Sequence, residues 1–215
     1  MTNTLERRTI TAEVRASRAD GKPTRLEGYA AVFNKFSENL GGFKEKIAPG
    51  AFSRAITEKQ DVRALFNHDP NFVLGRTASG TLDLSEDDKG LMFSCEMPDT
   101  TVARDLMALV ERGDVNQCSF GFIVRADSEQ DSTAEDKASG IFGVRTIEDC
   151  DLFDISAVTY PAYTQTSCDV RSLIVPTEIV ERFHKNTEAE STKQDANVLA
   201  RDTAYIETLR ASLTL

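Results

Sequence analysis

Apolar and polar positions alternate with a period of two over most of the first 160 residues, the pattern of half-buried strands. Residues 8–18 alternate Ile10, Ala12 and Val14 with polar neighbours. A turn at Ala19-Asp20-Gly21-Lys22-Pro23 separates them from a second strand at 26–33. Further strands are predicted at 43–47, 62–68, 81–85 and 91–97. The last two form a hairpin around the polar stretch Glu86-Asp87-Asp88-Lys89-Gly90. Pro70 and the stretch 75–80 read as turn. Two more strands, 115–125 and 141–160, flank the acidic Ser/Ala-rich residues 127–139, which read as a mobile surface insertion. Helices interrupt the pattern twice. Phe52, Ala55 and Ile56 predict a short one over 51–59, and Val102, Leu106, Leu109 and Val110 predict one over 100–112 that Gly113 ends.

After Tyr163 the alternation stops, and residues 164–194 are polar with scattered apolar positions. Val198, Leu199, Tyr205, Ile206, Leu209 and Leu213 then recur at helical spacing and predict an amphipathic helix. The pattern gives a β-rich domain with a few helices, then a polar linker and a helical tail.

Composition narrows the function classes. The 215 residues carry 25 Lys and Arg against 35 Asp and Glu, a net charge of −10. That offers no basic footprint for a nucleic acid or an anionic membrane surface. No apolar run approaches the ~20 residues that span a bilayer, and the first residues lack the apolar stretch of a secretory signal. Four widely spaced cysteines and two histidines make a zinc site or a disulfide framework unexpected and point to a reducing cytoplasm. Phosphate-loop, dinucleotide, HExxH and GxSxG motifs are absent from the sequence, so no cofactor or metal is expected.

Three segments could carry chemistry. In residues 115–124 alternation turns Cys118, Phe120, Phe122 and Val124 to the core, leaving Ser119 and Gly121 on the other face. Gly121 leaves space beside the Ser119 hydroxyl, which suits a nucleophile approached by a bulky carbonyl. An ordinary surface serine fits the same pattern. His68, beside Asp69-Pro70, could take a hydroxyl proton near neutral pH or could be a solvated turn residue. His184 lies in residues 180–185, which read as a polar helix in the tail, and it reads as solvent-facing. Asp154 sits between Phe153 and Ile155 in an apolar run, where a carboxylate needs a partner such as an imidazole or several donors. Glu148 is the alternate acid, on the same face by an even count of positions.

These residues lie in motifs that resemble the prohead (procapsid maturation) proteases of tailed bacteriophages. The motifs are Gly28-Tyr29-Ala30-Ala31-Val32-Phe33-Asn34, the run from Gly41 to Phe52, Leu65-Phe66-Asn67-His68-Asp69, Leu74-Gly75-Arg76-Thr77, Ser119-Phe120-Gly121-Phe122 and the run 152–163. Their order and spacing agree from about residue 8 to 165. The resemblance implies a serine endopeptidase domain over 1–165, with residues 166–215 as linker and tail. It also implies an α+β fold similar to the herpesvirus assembly protease, with a β-barrel-like, mostly antiparallel core flanked by a few helices. His68 and Ser119 map onto the catalytic pair, with an acid as third member. Where the family commonly has Glu-Val-Ser, this chain has Asp154-Ile155-Ser156. The implied partners are the major capsid protein and its scaffolding region, with self-association through the tail a further one. The implied place is the host cytoplasm, inside the assembling procapsid. A catalytically idle scaffolding or capsid-binding module is the alternative.

Overall fold

A computed structural model describes residues 4–11, 14–17, 24–159 and 175–185. Among them the chain is mixed α+β, with mostly antiparallel strands in two sheets that do not close into a barrel. The larger sheet runs β1 (Glu6–Thr11), β9 (Gln117–Asp131), β10 (Gly143–Val158), β5 (Arg63–Phe66) and β6 (Asp69–Arg76). β4 (Phe43–Ile47) lies parallel to the start of β10, and β5 lies parallel to its end. The smaller sheet runs β2 (Val14–Ser17), β3 (Arg25–Val32), β8 (Gly90–Glu96) and β7 (Leu82–Glu86).

The predicted strand at 8–18 is two strands, β1 and β2, in different sheets. The acidic stretch after residue 125 is not a loop. β9 continues through Asp131, and the helix α3 (Ala134–Ala138) leads into β10. Lys44 donates to both carboxylate oxygens of Asp136 at 2.8 Å, tying α3 to β4. The hairpin of β7 and β8 forms where expected, with the Asp87 side chain accepting from the Lys89 and Gly90 amides. The helix α2 (Thr101–Arg112) starts on a Thr100 cap, ends at Gly113 with φ 85°, and buries Ala103, Leu106, Met107 and Val110. The short helix α1 (Ser53–Thr57) packs on β10, with Ala55 buried and Arg54 paired to Asp149 and Asp151.

The core lies between the sheets. Phe120 and Phe122 stack at 4.8 Å, and Phe52 meets the edge of Phe120 at 5.7 Å. One end of the large sheet holds a buried ion cluster that hydropathy does not signal. Arg145, 1% exposed, donates to Glu6 and Glu45, and Arg8 donates to the same two acids. Residues 177–185 form a further helix, α4, around the polar helix expected at 180–185, and it packs on the domain. Its Phe183 stacks on Phe43 at 4.6 Å and Ile179 is buried with Leu40. Its Arg182 pairs with Asp127 and Glu129. Gly143 receives the Phe183 ring at a distance no Cβ would allow. His184 is exposed and meets the Gly41 carbonyl at 2.9 Å. The tail stripe from Val198 to Leu213 lies outside the described residues.

Candidate active site

The site is built where β9, β10 and the β5–β6 hairpin meet. On β9, Cys118, Phe120 and Phe122 are fully buried on the core face, and Ser119 and Gly121 take the other. Burial pushes the Cys118 thiol up to about 12, so it stays protonated and gives Ser119 no rival as nucleophile. Across the ladder Ser119 faces Ser156 and Gly121 faces Asp154.

Asp154 reaches that face through a bulge. Leu152 pairs with Phe122, but Asp154 pairs with Gly121, so β10 advances two residues while β9 advances one. Phe153 is the extra residue, and it is 42% exposed. In an unbroken strand Asp154 would share the core face of Leu152; the bulge turns it to the Ser119 side and returns Ile155 to the core. Irregularities around Glu148 also break the even count from 148 to 154. Glu148 is exposed and accepts a 2.6 Å bond from Ser128, so the structure does not bring it to His68.

Gly121 serves differently from the sequence expectation. The space beside it is filled by the Asp154 carboxylate, which a Cβ at 121 would strike. The glycine makes room for the acid, not for an approaching carbonyl.

His68 is presented by a turn. Phe66 pairs with Asp69, leaving a two-residue loop whose members, Asn67 and His68, have φ of 53° and 54°. Two successive positive φ values mark a type I′ hairpin turn. The expected turn at Asp69-Pro70 is instead the start of β6, whose residues 70–72 bulge from the ladder between Asp69 and Val73. Asn67 fastens the turn to β10. Its amide donates to the Ala157 carbonyl at 2.9 Å, and its side-chain oxygen accepts from the Thr159 amide at 2.9 Å.

The three side chains then form one hydrogen-bonded chain. His68 Nδ1 contacts Asp154 Oδ1, and His68 Nε2 lies 2.7 Å from Ser119 Oγ. A carboxylate only accepts, so Nδ1 carries the ring proton and Nε2 accepts from the Ser119 hydroxyl. All three residues are buried, with Ser119 at 0%, His68 at 5% and Asp154 at 7% exposure. Such an arrangement can strip the hydroxyl proton as Ser119 attacks a carbonyl. Among the described residues no cluster of His, Cys, Asp and Glu is placed to hold a metal, and no helix is long and apolar enough to cross a membrane.

The model of the caudovirus prohead serine protease family matches residues 10–179. Among solved structures, the bacteriophage T4 capsid assembly protease, gp21, aligns at 14% identity with a TM-score of 0.41. That alignment covers 72% of this chain and 99% of the other. No curated protein sequence matches. With the family's model extending over 170 of the 215 positions, from β1 into α4, the chain belongs to the caudovirus prohead serine proteases.

Proposed function

We propose that the chain is a capsid-maturation serine endopeptidase. It works inside the assembling procapsid in the host cytoplasm, cleaving the scaffolding region of the major capsid protein and then itself. The continuous hydrogen-bonded chain from Asp154 through His68 to Ser119 carries this reading. Ser119 Oγ attacks the scissile carbonyl carbon while its proton passes to His68 Nε2. The tetrahedral adduct collapses, the C–N bond breaks, and the same proton leaves on the departing amine. Water then attacks the acyl carbon and gives a proton to Nε2. The second tetrahedral adduct collapses, the C–Oγ bond breaks, and Nε2 returns that proton to Ser119 Oγ as the carboxylic acid product leaves. Asp154 accepts from Nδ1–H throughout, fixing the tautomer and stabilising the imidazolium. The hydrogen bond on Ser119 favours an enzyme over an idle scaffolding module, which needs no such contact. The tail stripe at 198–213 is proposed to recruit the protease, by binding scaffolding helices or another copy of itself.

A fluorophosphonate probe tests the nucleophile. Labelling of the intact chain that disappears in Ser119→Ala and His68→Ala supports the reading. Labelling that persists in Ser119→Ala contradicts it.

A further inference from the structure

We infer that Ser156 is a positioning residue whose single hydroxyl holds both Asp154 and the backbone of His68. The inference rests on the proposed roles of Ser119, His68 and Asp154. Ser156 is 1% exposed and lies two residues beyond Asp154 on the same face of β10, directly across from Ser119. Its Oγ is 3.2 Å from Asp154 Oδ1, 3.2 Å from the His68 amide nitrogen and 3.3 Å from His68 Nδ1.

The proton positions follow from chemistry. A carboxylate only accepts and a backbone N–H only donates, so the hydroxyl donates to Asp154 and accepts from His68. Asp154 Oδ1 therefore receives two donors, the Ser156 hydroxyl and the imidazole Nδ1–H. The carboxylate cannot swing away without breaking both. The second bond acts on the turn. His68 sits at φ 54°, a region that side-chain-bearing residues adopt only when their surroundings hold them there. Its amide, buried beside β10, has the Ser156 hydroxyl as acceptor. One side chain thus fixes the acid's orientation and the histidine's backbone together. A residue needed only for packing would not need its hydroxyl.

The test uses full-length Ser156→Ala, with the isosteric pair Ser156→Thr and Ser156→Val, reacted with a fluorophosphonate probe. Ser156→Ala should lower the maximal labelling rate of Ser119 by roughly 10- to 100-fold, the scale of losing hydrogen bonds to a charged group. The probe concentration at half-maximal rate should stay unchanged, because the buried Ser156 hydroxyl is committed to Asp154 and His68. Ser156→Thr should recover most of the rate and Ser156→Val should not. Ser156→Ala added to Asp154→Asn should slow labelling no further, since one acts through the other. Labelling of Ser156→Ala or Ser156→Val at the wild-type rate overturns the inference. Equal rates for Thr and Val with native-like melting overturn it too. Labelling that survives Ser119→Ala would instead indict the assignment of Ser119.

Discussion

Gly121 lies opposite Asp154 on the β9–β10 ladder, and a methyl group there would overlap the Asp154 carboxylate. The backbone at 121 is ordinary strand, so alanine at this position tests space alone. Gly121→Ala should displace the carboxylate from His68 Nδ1. Its rate of fluorophosphonate labelling should fall by about 100-fold, the scale of a 1 Å misplacement in an active site. Its circular dichroism should stay that of the wild type. Wild-type labelling in Gly121→Ala would show that Asp154 has no part in activating His68.

The two acids separate cleanly. Asp154→Asn keeps the shape of the site but removes the acceptor that fixes the imidazole tautomer. Labelling should drop by up to ~10⁴, as the equivalent change does in another serine protease. Glu148 is exposed and bonded to Ser128, so Glu148→Gln should stay within about two-fold of wild type. The opposite ranking, measured by probe labelling of both variants, would move the third role to Glu148.

The turn that carries His68 can be probed at Asn67. Its φ of 53° suits asparagine or glycine and disfavours a β-branched residue. Asn67→Gly keeps the backbone conformation but loses the side-chain bonds to Thr159; it should fold and retain most labelling. Asn67→Val should lose both thermal stability and labelling. Thermal melts and probe rates on the two variants check this. Equal behaviour would mean the positive φ does not constrain the site.

Much of the architecture is legible in the alternation of side chains, because both sheets bury one face and the period of two survives in most strands. The β7–β8 hairpin, α2 with its Thr100 and Gly113 boundaries, and the core face at Cys118, Phe120 and Phe122 are examples. The site itself depends on departures from that period. Parity from 148 to 154 puts Glu148 and Asp154 on one face, and a bulge at Phe153 undoes it. The Asp69-Pro70 pair is a strong local turn signal, yet the turn forms two residues earlier, at Asn67-His68, because Asn67 accepts a positive φ and bonds to Thr159. Arg145, Arg8, Glu6 and Glu45 look like surface residues in any hydropathy pattern. Only their mutual pairing allows them to be buried. A polar helix over 180–185 is legible in the sequence, but its docking is not. The apolar positions 179 and 183 are too few to mark a buried face, and it is the Phe43 and Gly143 surfaces that give α4 its place.

Stability in acid should report the network that holds β10 to its neighbours. Burial pushes the Asp151 carboxyl up, but bonds from Arg125, Arg54 and Gln60 outweigh it and hold the group at about 2. The unfolded chain titrates it near 3.8. A depressed folded value adds stability that is fully present above the unfolded value and lost as pH falls towards the folded one. Asp151→Asn should therefore be less stable than wild type at neutral pH, with the gap narrowing between pH 4 and pH 2. Denaturant unfolding of both proteins across that range checks it. A gap that is constant with pH would remove Asp151 from the account.

Intact-mass spectrometry of the major capsid protein co-expressed with this chain, wild type or Ser119→Ala, tests the central claim most directly. The account predicts a shortened capsid protein and a shortened protease with the wild type, and both chains at full mass with Ser119→Ala. Shortening that persists with Ser119→Ala, or full-length capsid protein in assembled shells with the wild type, would contradict it.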